Sequence, residues 1–347
     1  MLAAVLHGAN DLRVEEVAEP TAGAGQVKIR VSACGICGSD LHLLRGAGWT
    51  GDNPHPPFVI GHEFAGTVVE AGRGVASRVS VGDAVSVRPL VACGACAACN
   101  AGLPNVCVHV RFYGVSSDLA GGMAEFVVVD AENIHPLPAG LSPAKAAIAE
   151  PLAVGVHAAR RGLEQGGDSA VILGAGPIGV AIFLALRGLG LTDISIVEPS
   201  AARREAIRGL GANAVIDPSE VDVRDQIRTL TSGRGADVCF DAAGIPQTFT
   251  DAQRLTTRRG RVVLVAGYEQ PVTFDPYLML STEQVITASL AYTGEDFERA
   301  IETVADLDDV SHWVKTLDIH NVISGFERLS QQRDVKLLVT PWPKDDG

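Results

Sequence analysis

The sequence has no basic stripe, and no apolar run in it is both unbroken and long enough to cross a membrane. Acidic residues outnumber basic ones by 41 to 28, and the net charge of −13 argues against nucleic acid or an anionic membrane as the main partner. The most hydrophobic stretch, 171–191, is interrupted by glycine, proline and arginine, whereas a span needs about 20 mostly apolar residues. The amino-terminal residues also lack the pattern of a secretory signal, so a cytoplasmic location is expected.

The chain is long enough for two domains, and its pattern of apolar and turn-forming residues changes twice. Residues 1–152 contain short β-branched runs punctuated by glycine, such as QVKIRVSAC and EFAGTVVEAG, which predict a mainly β, barrel-like domain. In residues 153–288 apolar strand-like segments alternate with helix-like ones, which predicts a doubly wound parallel sheet covered on both faces. In residues 289–347 this alternation stops, and we expect the tail to return to the first domain. The predicted fold class is therefore α/β.

A cluster of four cysteines is the strongest local signal. VACGACAACNAGLPNVC has the spacing C-x2-C-x2-C-x7-C, and an intracellular chain of this size seldom uses such a cluster for disulfides. Four thiolates close a tetrahedral zinc site and contribute to folding rather than to chemistry. An iron–sulfur cluster also suits four thiolates, and four reduced cysteines in a loop are a third interpretation. The predicted structural zinc ligands are Cys93, Cys96, Cys99 and Cys107.

Three further segments offer metal ligands of another kind. CGICGSDLH, PHPPFVIGHEFAG and AEPLAVGVHA together supply a thiol, imidazoles and carboxylates, a set that suits an open zinc site of the catalytic type. Each residue alone has an ordinary interpretation, because a single cysteine is commonly a small core residue and a single histidine is commonly hydrogen-bonded. The candidates of this second site are Cys37, Ser39, Asp40, His42, His62, Glu63 and Glu150.

A glycine-rich turn predicts a dinucleotide site. VILGAGPIGV places Gly174, Gly176 and Gly179 in G-x-G-x-x-G, after an apolar strand and at the start of a helix, where pyrophosphate binds against the helix N-terminus. The next strand ends in Glu198, whose carboxylate suits the ribose diol and repels a 2′-phosphate, which favours NAD over NADP. Arg203 and its neighbour Arg204 keep NADP open, because they offer partners for a phosphate.

These motifs resemble one family across essentially the whole chain. CGICGSDLH, GHEFAGTVVEAG, the four-cysteine lobe, EPLAVGVHA and LGAGPIG follow the order and spacing of the zinc-containing medium-chain alcohol dehydrogenases. The resemblance is greatest to the branch that holds sorbitol (polyol) and 2,3-butanediol dehydrogenases, because EPL stands where other alcohol dehydrogenases carry a third cysteine ligand. It implies a GroES-like first domain and a Rossmann second domain, with two zinc ions per chain.

The resemblance also assigns roles to the second metal site. It makes Cys37 and His62 zinc ligands, with Glu63 as the third ligand in this branch. Glu150 is either a direct ligand or the holder of the zinc-bound water, and the sequence does not choose between the two carboxylates. Asp40 is expected to accept a hydrogen bond from the far ring nitrogen of His62 and so to orient it.

The expected reaction is hydride transfer between an alcohol and the nicotinamide of NAD. Zinc lowers the pKa of a bound alcohol so that an alkoxide forms near neutral pH, and Ser39 with His42 offers a hydroxyl–imidazole path for the released proton. The resemblance implies that the backbone at 265–267 and 290–292 lines the nicotinamide amide. The predicted cofactor-binding residues are Gly174, Gly176, Pro177, Ile178, Gly179, Glu198, Arg203, Val265, Gly267 and Leu290.

Departures from the polyol branch bear on the substrate. Leu43 stands where polyol dehydrogenases carry a tyrosine, and AYT at 291–293 lacks their arginine. Fewer hydrogen-bonding groups weaken selection for a many-hydroxyl substrate, so we expect a secondary alcohol or vicinal diol and its ketone. The alternatives are an NADP-dependent ketone reductase, a polyol dehydrogenase, or a zinc-stabilised dinucleotide-binding sensor without catalysis. The strand VITASLAY is a candidate sheet edge, and a homodimer or homotetramer is expected.

Overall fold

The fold is that of a computed structural model, which describes residues 1–47, 55–75 and 79–342. Its contacts divide the chain into two units, Met1–Glu150 with Thr293–Gly347 and Pro151–Tyr292, where the sequence predicted breaks after residues 152 and 288. None of the helices in the described residues is both long and apolar enough to span a membrane.

The strands of the described residues are β1 (Leu2–Gly8), β2 (Asp11–Glu16), β3 (Gln26–Gly35), β4 (Phe58–Val59), β5 (Glu63–Ala71), β6 (Ala84–Val87), β7 (Leu90–Val91), β8 (Arg111–Phe112), β9 (Phe126–Asp130), β10 (Ile134–Pro136), β11 (Ser169–Leu173), β12 (Asp193–Val197), β13 (Ala214–Ile216), β14 (Ala236–Asp241), β15 (Thr256–Leu264), β16 (Val285–Ala288), β17 (Val314–Asp318) and β18 (Lys336–Thr340).

The helices are α1 (Gly38–Leu44), α2 (Ala97–Asn100), α3 (Pro143–Ala146), α4 (Ala149–Leu163), α5 (Pro177–Gly188), α6 (Ala201–Gly209), α7 (Val223–Leu230), α8 (Pro246–Leu255), α9 (Pro276–Thr282), α10 (Gly294–Asp306) and α11 (Val322–Ser330). Single 3-10 turns lie at Pro104–Val106, Ala131–Asn133 and Ile319–Asn321.

Strand β3 is the central strand of the first unit. The main sheet runs β10-β6-β5-β3-β18-β17, and β9 also pairs with β3, while β2-β1-β4 and β7-β8 form smaller sheets. Val27, Ile29, Val31 and Ala33 on β3 are all fully buried. The late strand β18 pairs antiparallel with β3, so the carboxyl-terminal segment belongs to the same sheet as the amino-terminal strands. The mainly β first domain of the sequence prediction is confirmed.

The second unit is a parallel sheet of order β13-β12-β11-β14-β15-β16. Its strands pair in parallel throughout, and every residue of β11 is buried. Strands buried on both faces account for the continuous apolar runs in the sequence. The strand order steps outward from β11 in both directions, which is the doubly wound arrangement predicted for this part of the chain.

Candidate functional site

Four cysteine sulfurs converge in the loop between β7 and β8. Cys93 and Cys99 are 3.9 Å apart, Cys96 and Cys99 3.5 Å, and Cys96 and Cys107 3.8 Å, measured between Sγ atoms. A tetrahedral zinc with Zn–S bonds of about 2.3 Å requires sulfurs about 3.8 Å apart, whereas a disulfide needs about 2.05 Å. All four cysteines are free, and the spacing fits a metal held by four thiolates.

Backbone amides support negative charge on these sulfurs. The N–H groups of Cys93 and His109 each donate to Cys107 Sγ at 3.3 Å. Backbone N–H groups, first that of Cys99, lower the pKa of Cys96 to about 6, whereas burial and then the Cys96 side chain raise the pKa of Cys99 to about 12. Like charges this close repel one another, so a divalent cation is what would let all four sulfurs be thiolates together.

A second donor set forms where two separate segments meet in the first unit. Cys37 immediately precedes helix α1, His62 precedes β5, and Glu63 is the first residue of β5. Their ligand atoms all lie within 4.8 Å of one another, and His62 and Glu63 are buried. Zinc bonds to sulfur, nitrogen and oxygen of about 2.0–2.3 Å place such atoms about 3.5 Å apart, so the donor set fits zinc with a position left over.

Asp40 links the two segments of this site. Its Oδ2 accepts a hydrogen bond from the backbone N–H of Cys37 at 2.8 Å, and its Oδ1 lies 3.4 Å from Nδ1 of His62. Burial lowers the pKa of His62, but the charges and hydrogen bonds of Asp40 and Cys37 outweigh it, and the net pKa lies well above the usual value. The surroundings of the imidazole are therefore strongly anionic and favour a positive charge there.

The residues expected to move the proton lie on helix α1. Ser39 Oγ is 3.3 Å from Nε2 of His62, the nitrogen on the far side from Asp40. His42 is three residues after Ser39, so both side chains are on the same face of the helix. Glu150 is the second residue of helix α4 and is buried, but its carboxylate is outside the group formed by Cys37, His62 and Glu63.

Lys336 is a residue of this site that the sequence interpretation missed. Its ammonium pairs with Glu63, and both side chains are fully buried. Burial lowers the pKa of Lys336, but Glu63 and then Cys37 raise it more, and the net pKa lies above the usual value. The one signal in the sequence was a lysine inside the otherwise apolar run VKLLVTP.

The glycine-rich turn of the second unit has the backbone that its sequence predicted. Gly174 has a φ of +100°, and Gly176 precedes helix α5, with Pro177 as its first residue and Ile178 next, half-buried. A Cβ on Gly179 would lie 1.9 Å from the carbonyl oxygen of Gly174. Only glycine allows this close approach, which leaves the helix N-terminus open to a phosphate.

Glu198 follows β12 and is held beside this turn. Its Oε2 accepts from the N–H of Ala175 and its Oε1 from the N–H of Ser200, both at 2.7 Å. Arg203 Nη1 is 3.9 Å from the position of a Cβ on Gly176, and its buried Nε has no hydrogen-bond partner among the described residues. Arg204 instead donates to the carbonyl of Glu198 at 2.9 Å and pairs with Asp217, which leaves Arg203 as the arginine at the turn.

The loops after β14 and β15 meet at a second carboxylate that the sequence interpretation missed. Asp241, fully buried, accepts hydrogen bonds from the N–H groups of Ala243 and Gly244 at 3.0 Å and from Tyr268 Oη at 2.5 Å. The N–H of Val265 donates to the backbone carbonyl of Asp241 at 3.0 Å. Asp241 therefore fixes the segment around Val265 and Gly267. Leu290, the remaining residue expected near the nicotinamide, follows β16 and is 45% exposed.

Comparison with known proteins matches both parts of the chain. Residues 23–139 match the family described as alcohol dehydrogenase GroES-like domain, and residues 177–306 match the zinc-binding dehydrogenase family. The (R,R)-butanediol dehydrogenase of Bacillus subtilis is 38% identical over 84% of this chain and 85% of its own. The sorbitol dehydrogenase of Bacillus subtilis is 34% identical over 99% and 97%.

Solved structures share the fold. An alcohol dehydrogenase from Escherichia coli CFT073, complexed with NADH, has a TM-score of 0.87 at 29% identity and covers 98% of this chain and 99% of its own. A zinc-binding dehydrogenase from Sinorhizobium meliloti 1021, bound to NADP, has a TM-score of 0.90 at 29% identity with the same coverage. The two proteins thus carry different nicotinamide cofactors on one architecture.

Proposed function

Because the chain belongs to the zinc-containing medium-chain alcohol dehydrogenases, we propose that it interconverts a secondary alcohol or vicinal diol and the corresponding ketone with NAD(H). Cys37, His62 and Glu63 would hold the catalytic zinc. The observation that carries this proposal is the convergence of one sulfur, one imidazole and one carboxylate within 4.8 Å. Zinc in such an incomplete donor set supplies Lewis acidity to a substrate oxygen.

The chain's own residues orient the ligands and move the proton. Asp40 orients the imidazole of His62 through Nδ1, which would leave Nε2 available to hold the metal. Ser39, whose hydroxyl lies 3.3 Å from that Nε2, is placed to take the substrate's hydroxyl proton. His42 on the same face of α1 is the proposed next carrier of the proton, because one ring nitrogen of an imidazole can accept a proton and the other can donate one. Glu150 remains the alternative carboxylate for the site.

NAD is the proposed cofactor, with NADP as the alternative. Glu198 ends β12 beside the glycine turn, where a carboxylate binds the ribose diol and disfavours a 2′-phosphate. Arg204 is already bonded to protein groups, and of the two arginines only Arg203 is left to face an adenosine or a phosphate. The alternative, an NADP-dependent ketone reductase, would use Arg203 to bind the 2′-phosphate, and the similar NADP-bound structure is the observation that favours it.

The four-cysteine lobe is proposed to hold a second, structural zinc. Its sulfur separations of 3.5–3.9 Å leave no place for a further ligand. This site therefore supports the fold of the lobe and takes no part in the reaction.

A secondary alcohol or vicinal diol is the proposed substrate class. The relatives named above act on butanediol and on sorbitol. Leu43 is buried at 2% exposure beside His42 on α1 and offers no hydrogen bond to a sugar alcohol. A polyol dehydrogenase is the second candidate, favoured by the sorbitol dehydrogenase match over nearly the whole chain.

We also propose a homo-oligomer that uses the edge of the second unit's sheet. β16 is the last strand of the sheet, and apolar side chains on and near it are exposed: Tyr277 by 75%, Leu280 by 76% and Val285 by 41%. An exposed strand edge with apolar neighbours suits pairing with a second copy.

One experiment tests metal, cofactor and substrate together. Purified protein is analysed for zinc, and a panel of alcohols is then assayed with NAD and with NADP by absorbance of the reduced cofactor. We expect two zinc ions per chain and the fastest oxidation for 2,3-butanediol or a cyclic secondary alcohol with NAD. Sorbitol and xylitol as the best substrates would replace the diol with a polyol. Cofactor binding with one zinc and no alcohol oxidised would favour the non-catalytic sensor.

A further inference from the structure

Lys336 is buried in a place where a lysine needs a specific partner. It begins β18 and has no exposed surface. Its Nζ pairs with the Glu63 carboxylate and donates a hydrogen bond to the carbonyl of Ile36 at 2.9 Å. Burying an ammonium group costs free energy unless the group is paired. The Glu63 carboxylate and the Ile36 carbonyl are therefore the contacts that hold Lys336 in this position.

Both partners adjoin candidate zinc ligands. Ile36 immediately precedes Cys37, and Glu63 immediately follows His62. The pairing of β3 brings them together, since Gly35 is opposite Glu63 on β5 and opposite Leu338 on β18. One ammonium from the end of the chain therefore bridges the two segments that carry the sulfur and the imidazole.

The space around this contact is filled. A Cβ on Gly35 would lie 1.9 Å from Glu63 Oε2 and 3.0 Å from Cε of Lys336. Glu63 Oε2 is the oxygen that forms the ion pair with Lys336, but both oxygens of this buried carboxylate are without a hydrogen-bond partner among the described residues. The carboxylate is therefore ion-paired but accepts no hydrogen bond from the described residues, and one of its oxygens lies within 4.8 Å of the other two donors.

A merely structural ion pair explains this arrangement less well. Buried ion pairs contribute little net stability compared with apolar side chains of similar size. A structural pair would also give the buried carboxylate oxygens hydrogen bonds, which neither oxygen of Glu63 has among the described residues. A carboxylate kept available to a metal accounts for both observations.

We propose that Lys336 is a positioning residue of the metal centre that shares Glu63 with the zinc and thereby weakens the zinc's hold on this carboxylate. The inference rests on the proposed zinc site at Cys37, His62 and Glu63. The ammonium pairs with Oε2, which would leave the other oxygen to the metal, and its positive charge would oppose that of the cation. Removing the ammonium would free both oxygens of the carboxylate for zinc, so that the carboxylate would compete for the position that a substrate oxygen needs.

The test compares Lys336→Met with Lys336→Arg and with the double variant Lys336→Met/Glu63→Gln. Zinc-loaded proteins are mixed with a chromophoric chelator, and only the zinc-release phase that is absent from Cys37→Ser is followed. We expect Lys336→Met to release this zinc about tenfold more slowly, because the positive charge that opposes the cation is removed. Lys336→Arg keeps the charge and should stay close to the unmodified protein.

Cobalt substitution gives a second readout that does not depend on activity. The visible absorption of Co²⁺ reports coordination number, and Lys336→Met should shift it towards a closed donor set, whereas the double variant should not show this shift. Lys315→Met is the matched control, because Lys315 lies on the adjacent strand β17 and is exposed. Its zinc release and cobalt spectrum should be unchanged.

The outcomes separate this inference from the proposed function. Equal zinc release and equal cobalt spectra in Lys336→Met and the unmodified protein would overturn the role of Lys336 while leaving the zinc site intact. A Cys37→Ser variant that still binds as much zinc as the unmodified protein would instead overturn the zinc site itself. If Lys336→Met does not fold, the double variant is compared with Glu63→Gln alone, since the double variant removes both charges. Equal zinc release in the two would support a role exerted through Glu63. Slower zinc release in the double variant would contradict that role.

Discussion

Asp40 Oδ1 lies 3.4 Å from Nδ1 of His62, and the other oxygen of Asp40 accepts a hydrogen bond from the backbone of Cys37. One buried carboxylate therefore orients the imidazole and also caps the helix that follows the thiol. Asp40→Asn keeps an oxygen for the cap but removes the charge facing the ring. We expect zinc affinity at this site to fall by about 10–100-fold, measured as zinc retained after dialysis against a chelator. An unchanged zinc content with an altered fold would assign Asp40 to capping alone.

The two proposed zinc sites should respond differently to loss of one cysteine. Cys37→Ser and Cys99→Ser should each leave about one zinc per chain, because each removes a thiolate ligand. Only Cys99→Ser should lower the thermal midpoint strongly, since it opens a closed cage that supports its loop. Ala97→Ser, an exposed change on the same short helix, is the control and should do neither. Equal destabilisation by both cysteine variants would contradict two kinds of site.

Two glycines on helix α5 should give opposite results when changed to alanine. Gly179→Ala places a Cβ 1.9 Å from the carbonyl oxygen of Gly174, so it should displace the turn and weaken NAD binding at least about tenfold. Gly188→Ala meets open space near the end of the same helix and should stabilise the protein by about 0.5–1 kcal/mol. NAD affinity by fluorescence titration and thermal midpoints measure the two effects. Normal NAD binding in Gly179→Ala would show that the turn is not the pyrophosphate site.

Glu198 should control the choice of cofactor. Glu198→Gln keeps an oxygen for the backbone N–H of Ala175 but removes the charge, so the KM for NAD should rise about tenfold, equivalent to about 1.4 kcal/mol. The KM for NADP should fall, because a 2′-phosphate is no longer repelled. Glu205→Gln, an exposed neighbour on α6, serves as the control. A KM ratio that does not move would place the ribose elsewhere.

Asp334 should make part of the first unit's free energy of unfolding dependent on pH in the acidic range. Its buried carboxylate pairs with Lys315 at 2.8 Å and Arg328 at 2.7 Å. Burial raises the pKa of Asp334, but these hydrogen bonds and charges outweigh it, and the net pKa lies below the ordinary 3.8. The stabilisation is therefore present above pH 3.8 and is lost as the pH falls through the lower folded pKa.

The Asp334→Asn variant tests this pH dependence. At neutral pH the urea midpoint should correspond to a loss of about 1 kcal/mol, because both cationic partners are partly exposed to solvent. The difference between the two proteins should shrink as the pH is lowered below the ordinary pKa of aspartate. A difference that stays constant down to the most acidic pH at which the protein is folded would show that the carboxylate charge is not responsible.

Features that are local in the chain could be predicted from the residues. Cys93 to Cys107 lie in one loop, and Gly174 to Gly179 lie in one strand–turn–helix, so their geometry follows from short stretches of backbone. The alternation of segments likewise predicted the parallel sheet, since strands buried on both faces must be apolar throughout. The partners of Glu198 could not be predicted, because they depend on where the next loop turns back.

The sequence by itself determined the α/β architecture, the two clusters of metal-binding residue types and the dinucleotide turn, because spacing and periodicity constrain backbone over short distances. Only the tertiary structure decided that Lys336 meets Glu63, and that Asp241 joins two loops through Tyr268. Those contacts depend on strand pairing between distant segments, in which a shift of one residue would turn each side chain to the opposite face of the sheet.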